Sequence, residues 1–548
     1  MPPPTSGRHR RSGAPELLCL GLALLVAGAL LGASVRPGYA LFLDHVTVPS
    51  PTAPDWHHLR TPAGLRAWPL DGVLWAWSLL LPTWLLQHLF LLGSLVGAGV
   101  GAGLVLRHRG PIAMGTATVV SMANPYVIER LLLGQPVLLI AYATLPWLVI
   151  TSRQASVRRR VTLSSLAVLV AALTPWGAVL AGTAAVLVAM LRRRRPAEVA
   201  LQAAVSVILC LPWLVPALAG GGSGADPSGA RAFRLADDTG LGAFASALVG
   251  GGVWSAAATL GARSGAIGVV GLVVVLALGT LGLVELARTR HPAAPALSVT
   301  AVGIPVITAL LSGPLLAPWT ALQEVPGVAL FRDLHRMLAP SVVATVFLVA
   351  IGTGTLVQRV SDGRRALEVP LAVILPTAVA VVLVPGAPER LRAAYDPQPF
   401  SPEWEAVVAA MDSGRVLTLP WQPLRRVTWM PQTFLDPTAR ALPGRVLSDG
   451  TLTIERDGDL ILVADSVDLR ENDIQESAIE AADDTLREWL SRGGGDPIPS
   501  ELLSGSGIEH VVVWRGSPGV VPDLPSTWAE TFSGADFVVW SEPSAASR

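Results

Sequence analysis

The sequence predicts a polytopic α-helical membrane protein, with about eleven transmembrane helices followed by a small extracytoplasmic α/β domain. Three observations carry this. Of 548 residues, 51% are hydrophobic and only 15% charged, whereas soluble globular chains carry about a quarter charged residues. The apolar residues come in long blocks, and a helix needs roughly 20 of them to cross about 30 Å of hydrocarbon. After residue 386 the blocks stop and short apolar segments take over, which divides the chain into a membrane part, 1–386, and a tail, 387–548.

The formal net charge is zero, but the tail holds about twice as many acids as arginines and the membrane part about the reverse. There is no lysine, and Ala, Gly, Pro and Val are abundant, a composition typical of GC-rich genomes such as those of actinobacteria. No basic patch with interleaved aromatics points to nucleic acid. The two cysteines, Cys19 and Cys210, lie in apolar blocks, and no Cys/His spacing matches a zinc site.

In chain order, Arg8, Arg10 and Arg11 precede an apolar run over 17–33. That arrangement resembles a secretory signal, but the run is long for one and more spans follow, so it reads as an uncleaved first span. Spans are expected at 17–35, 85–106, 111–123, 131–150, 161–173, 177–191, 197–218, 265–286, 296–316, 338–357 and 369–384. The two flanking Pro175 are short enough to be re-entrant or tilted. Arginines gather in alternate loops: Arg107 and Arg109, Arg153 with Arg158 to Arg160, Arg192 to Arg195, Arg288 and Arg290, and Arg359 with Arg364 and Arg365. The positive-inside rule makes those loops and the N-terminus cytoplasmic. An odd span count then puts the tail outside the inner (plasma) membrane. Trp56, Trp68, Trp75, Trp77 and Trp84 crowd the first outer loop, so it is expected to lie at headgroup level as amphipathic segments.

In the tail, Arg415–Leu419, 510–514 and 537–540 read as strands, with Pro-rich irregular segments around 420–443. Ser477 and Glu480 have capping-box spacing, Ala482, Leu486, Trp489 and Leu490 form one helical face, and Gly493 begins the glycine run that ends it. The tail holds no nucleophile elbow, P-loop or paired-metal motif, so no metal or cofactor is expected and binding or packing is favoured there over catalysis.

Polar residues that lipid tolerates poorly gather on the outer side. Asp44 and His45 follow the first span, and a carboxylate desolvated at the membrane surface is a better proton acceptor than a solvated one. The competing reading is a solvated loop acid. Asn124-Pro-Tyr-Val-Ile-Glu129-Arg130, ending at Gly134-Gln135, is either a paired, partly buried site or a helix cap with a structural ion pair. Phe331-Arg332-Asp333-Leu-His335-Arg336 places Arg332 and Arg336 four apart, on one face if helical, where two guanidiniums suit a phosphate. Headgroup snorkelling is the alternative. His88 lies inside the second span, and a lone His there is more often an interhelical hydrogen-bond partner than a ligand. Asp237 and Asp238, with Arg231 and Arg234, lie in a Gly-rich loop that reads as a connector.

This layout resembles the GT-C glycosyltransferases, and the segments 124–135 and 331–340 look like those of actinobacterial arabinofuranosyltransferase-like integral membrane proteins. The resemblance implies transfer of a sugar from a polyprenyl-phosphate donor to an envelope glycan acceptor outside the membrane. Asp44 is then the base by position. Arg332 and Arg336 hold the donor phosphate, and His45, Asn124, Glu129, Arg130, Asp333 and His335 complete the binding groups. Such enzymes often carry a second loop acid, and the next here, Asp55 and Asp71, are distant in sequence. Two other functions compete: a non-catalytic envelope-assembly scaffold, and a lipid-linked glycan transporter. The transporter would need polar residues through the bilayer depth, whereas these spans are apolar.

Overall fold

The computed structural model describes residues 14–60, 62–219, 226–325, 327–361, 364–411, 414–442, 445–456, 458–463, 474–493 and 497–542. Arg8, Arg10, Arg11 and Pro443, singled out above, lie outside them.

Among the described residues, seven helical segments are long and apolar enough to cross a membrane: Ala14–Val35, Thr83–Val105, Pro196–Ala219, Ala266–Arg288, Ala294–Ser312, Leu334–Ser361 and Ala366–Leu383. The other four expected spans are helical but shorter: Pro111–Met122, Pro136–Thr151, Val157–Ala171 and Pro175–Leu191. At 1.5 Å per residue, the 12 residues of Pro111–Met122 reach only about 18 Å. Among the described residues, seven of the eleven expected spans are therefore full-length by length and composition. The block expected at 131–150 is interrupted for a local reason. Gly134 takes φ +74, and the helix restarts at Pro136, whose missing N–H costs nothing in a first turn.

The bundle is built around the Leu334–Ser361 segment. Of its apolar window 83% is buried, against 17% for Pro196–Ala219 and Ala366–Leu383, which leave most of theirs uncovered. Its closest neighbour is Ala266–Arg288, and glycine permits the approach. A Cβ on Gly352 would collide with the Leu278 carbonyl oxygen, and one on Gly282 with that of Leu348. Small residues at such a crossing let two backbones pack directly.

The tail forms a five-stranded sheet in the order β4-β1-β7-β9-β8. Here β1 is Arg415–Leu419, β2 Leu424–Val427, β3 Met430–Leu435, β4 Val446–Leu447, β5 Leu452–Arg456, β6 Asp459–Val463, β7 Ile508–Trp514, β8 Ala529–Ser533 and β9 Phe537–Ser541. β4, β1 and β7 are parallel, and β9 and β8 close the sheet antiparallel. Leu486 and Leu490, from the helix Ile474–Ser491, pack in one cluster with Leu417, Leu419 and Val511. That helix starts earlier than the capping-box spacing implies, so Ser477 lies inside it. The Pro-rich stretch expected to be irregular contains the antiparallel hairpin β2–β3.

The tail's second apolar cluster determines where Asp44 sits. It joins Trp404, Phe434, Trp514 and Phe537 of the tail to Leu41, Val46 and Val48 of the loop after the first helix. Backbone bridges reinforce the contact, pairing Tyr39 with Gln398 and Leu43 with Phe434.

Candidate functional site

Asp44 stands at the tip of a two-residue turn. The Phe42 and His45 backbones exchange hydrogen bonds of 3.2 and 2.8 Å, leaving Leu43 and Asp44 at the apex. Leu43 is held at φ +46, a conformation disfavoured for a side chain of its kind. The strain persists because the turn is clamped from two sides. Leu43 N–H donates to the Thr433 carbonyl at 2.9 Å, and Leu435 N–H donates to the Leu43 carbonyl at 3.0 Å. On the other side Gly134 lies against the turn so closely that a Cβ would strike the Phe42 carbonyl and sit 2.7 Å from Asp44 N. Asp44 is exposed, while His45 next to it is buried, its ring 5.5 Å from that of Tyr395. Burial, then the charges of His88 and Arg440, pushes His45 down to about 3, so it stays neutral and offers no cation at the surface.

A polar chain runs inward from Asp44. Gln135 Nε2 donates to Asp44 Oδ2 at 2.8 Å, and Arg130 Nη1 donates to Gln135 Oε1 at 3.0 Å. Arg130 then forks onto Asp333 with bonds of 2.7 and 2.8 Å, and both side chains are buried. Arg336 Nε is 3.1 Å from Asp333 Oδ2, and Arg336 is within electrostatic reach of Asp44. Burial alone would raise the Asp333 carboxyl. The Arg130 guanidinium, with Arg336 and His335, outweighs it and holds Asp333 well below the usual carboxylate range.

A second buried network lies behind the first. Arg263 Nη1 donates to Glu129 Oε1 at 3.1 Å and to Asp238 Oδ2 at 2.6 Å. Val253 N–H donates to Glu129 Oε2 at 3.1 Å, and His335 Nε2 is 3.3 Å from both that oxygen and the Gly250 carbonyl. Two acids thus share one arginine out of water. Burial, then the neighbouring Glu129 charge, pushes Asp238 up to about 7, and burial also raises Glu129. Asn124 is an N-cap. Its Oδ1 accepts from Val127 N–H at 3.1 Å, and its amide donates to the Val120 carbonyl at 2.9 Å.

The candidate residues therefore divide. Asp44 and Arg336 lie within electrostatic reach of each other at the outer rim, and Arg336's terminal amines have no partner among the described residues. Glu129, Arg130, Asp333 and His335 are consumed by mutual pairing, and Asn124 by capping. Arg332 and Arg336 do not share an α-helical face. Arg332 closes a 3-10 turn, Asp333 is extended, and a new 3-10 turn spans Leu334–Leu338, because the carboxylate turns inward to Arg130. Arg332 instead lies over the Phe233 ring at 5.0 Å. Of the other loop acids, Asp71 pairs with Arg440 at 3.1 Å and Asp55 accepts from His58 N–H at 2.7 Å. Sequence reasoning missed Arg263, a lone arginine in a turn 134 residues from Glu129 with no local signal. It also read Asp238 as part of a connector, although adjacent acids in a Gly-rich loop hinted at more. Among the described residues no three His, Cys, Asp or Glu side chains gather as a metal site.

The fold as a whole has a likeness among solved structures. The chain is similar in fold to arabinofuranosyltransferase AftD from Mycobacteria. The TM-score is 0.53 at 16% identity, over 95% of this chain and 41% of the AftD chain. The resemblance read from the sequence thus holds at the level of fold, and this chain spans about two fifths of AftD's length. No family model matches the sequence, and no curated protein matches it.

Proposed function

We propose that the chain is a membrane glycosyltransferase that moves a sugar from a polyprenyl-phosphate donor to an envelope glycan or glycoconjugate on the extracytoplasmic side. The observation that carries this reading is the rim itself: an exposed carboxylate on a clamped turn, within electrostatic reach of an arginine with free terminal amines. The likeness to AftD supports the same class. The acceptor O–H gives its proton to Asp44 as its oxygen bonds the anomeric carbon. The bond from that carbon to the phosphate oxygen breaks, and the phosphate leaves with the electron pair. Arg336, with Arg332 from the adjacent turn, stabilises the charge gained on the phosphate. The lipid tail stays in hydrocarbon while the phosphate sits at the interface. Gln135 orients the base, and Glu129, Arg130, Asp333 and His335 hold the rim in place.

The test supplies radiolabelled polyprenyl-phosphate sugars to membranes carrying wild type or Asp44→Asn. AftD is named for arabinofuranosyl transfer, so that sugar is the first to try. Asp44→Asn is expected to lower transfer by about 10²–10⁴-fold with the protein still folded. Equal transfer by both proteins removes Asp44 from the mechanism, and no transfer by folded wild type moves the chain to the scaffold reading.

A further inference from the structure

A second cluster of polar groups lies at the opposite ends of the helices that frame the rim. Thr83–Val105 starts beside the Asp44 loop, with Thr83 Oγ1 donating to the Val48 carbonyl at 2.7 Å, and ends before Arg107, His108 and Arg109. Pro136–Thr151 starts after Gln135 and ends before Arg153, and Ala266–Arg288 starts after Arg263 and ends before His291. Pro175–Leu191 ends before Arg192.

These turns are tied together. Arg153 donates from both terminal nitrogens to the Val105 carbonyl at 3.1 Å, and Arg194 Nη2 donates to the Ser152 carbonyl at 2.7 Å. Arg153 consequently stands among Arg107 and Arg192. His291 is within electrostatic reach of Arg109, Arg192 and Arg153, and His108 of Arg107, Arg109, Arg153 and His291. Burial first, then this mutual repulsion, pushes Arg153, His108 and His291 below their ordinary values. Two nearby acids are committed elsewhere: Glu198 to Arg160 through two bonds of 2.6 Å, and Glu285 to Arg359 at 4.0 Å. No carboxylate among the described residues pairs with Arg107, Arg109, Arg153 or Arg192. A cation at a helix C-terminus is ordinary, since it complements the dipole. Here the Arg153 and Arg194 anchors bring together the turns that carry Arg107, Arg109, Arg153 and Arg192, and guanidiniums grip phosphate bidentately.

We propose that Arg107, Arg109, Arg153 and Arg192 form a phosphate-binding site at the membrane face opposite Asp44, suited to an anionic phospholipid headgroup or to free phosphate. It does not depend on the transfer reaction. The full-length protein, delipidated in detergent, is titrated with short-chain phosphatidylglycerol, short-chain phosphatidylcholine or inorganic phosphate, and binding is read by native mass spectrometry. Saturable retention of phosphatidylglycerol over phosphatidylcholine is expected. Arg107→Gln with Arg192→Gln is expected to weaken it about tenfold, and Arg158→Gln with Arg159→Gln, the same charge loss on the same face, to leave it unchanged. Arg153 is kept because it anchors the turns, and a matching unfolding midpoint without lipid verifies that each variant is folded. Saturable inorganic phosphate binding lost in the first variant assigns the site to free phosphate. Equal weakening in both variants, or wild type that retains neither phosphate nor phosphatidylglycerol above phosphatidylcholine, overturns the proposal.

Discussion

At the scale of single residues, the rim rests on charges that have left water. Removing one partner of such a pair leaves the other uncompensated, whereas replacing both with apolar groups is often neutral. Arg130→Met is therefore expected to cost about 3–5 kcal/mol, and Arg130→Met with Asp333→Leu to recover most of it, as thermal unfolding in detergent would show. Asp238 makes a prediction in pH. Its folded pKa, about 7, lies above the ordinary 3.8, so the stability it contributes is full below about pH 4 and lost as pH rises through 7. Asp333 has the opposite sign: its contribution is full above about pH 4 and lost as pH falls below that. Wild type should thus lose unfolding temperature between pH 4 and about 7.5, and Asp238→Asn should flatten that decline. A decline of equal slope in the variant would remove Asp238 as its source.

At the scale of elements, three glycines matter because of what stands against them. Gly134 has φ +74 and touches the backbone that presents Asp44. Alanine there must displace the turn, and misplacement of a catalytic group by about 1 Å costs on the order of a hundredfold in rate. Gly134→Ala is expected to lower transfer by that much while the bundle stays folded. Gly282 and Gly352 let their two helices pack backbone to backbone, so Gly352→Val forces them apart. The expected loss is about 1–3 kcal/mol, the usual range for overpacking, read as a lower unfolding midpoint. None of the three declares itself in the sequence, where apolar blocks are full of glycine for other reasons. The helices are legible from hydropathy alone, but the partner that each glycine admits is not.

At the scale of the whole molecule, the tail and the first loop share one apolar core and so lie on the same side of any bilayer. In a Cys19→Ala, Cys210→Ala background, Ser50→Cys and Ser533→Cys should react with a membrane-impermeant maleimide from the same side, and Arg159→Cys only from the other. Labelling of Ser50→Cys and Ser533→Cys from opposite sides would contradict the shared core. The same core gives the tail a role in the rim: β3 supplies the backbone partners that hold Leu43 and hence Asp44.

The sequence by itself determined the class of molecule, because a run of apolar side chains has one low-energy solvent and its length sets what it can cross. It also determined three strands of the tail, β1, β7 and β9, and the segments from which the rim is built, since buried charge in an apolar chain is too costly to be incidental. The tertiary structure alone decided which charges remain available. Arg130 and Arg336 look alike in sequence, yet both terminal nitrogens of one are taken by Asp333 and Gln135, while those of the other have no partner among the described residues. That difference rests on partners 203 and 134 residues apart, Arg130 with Asp333 and Glu129 with Arg263, which no local period encodes.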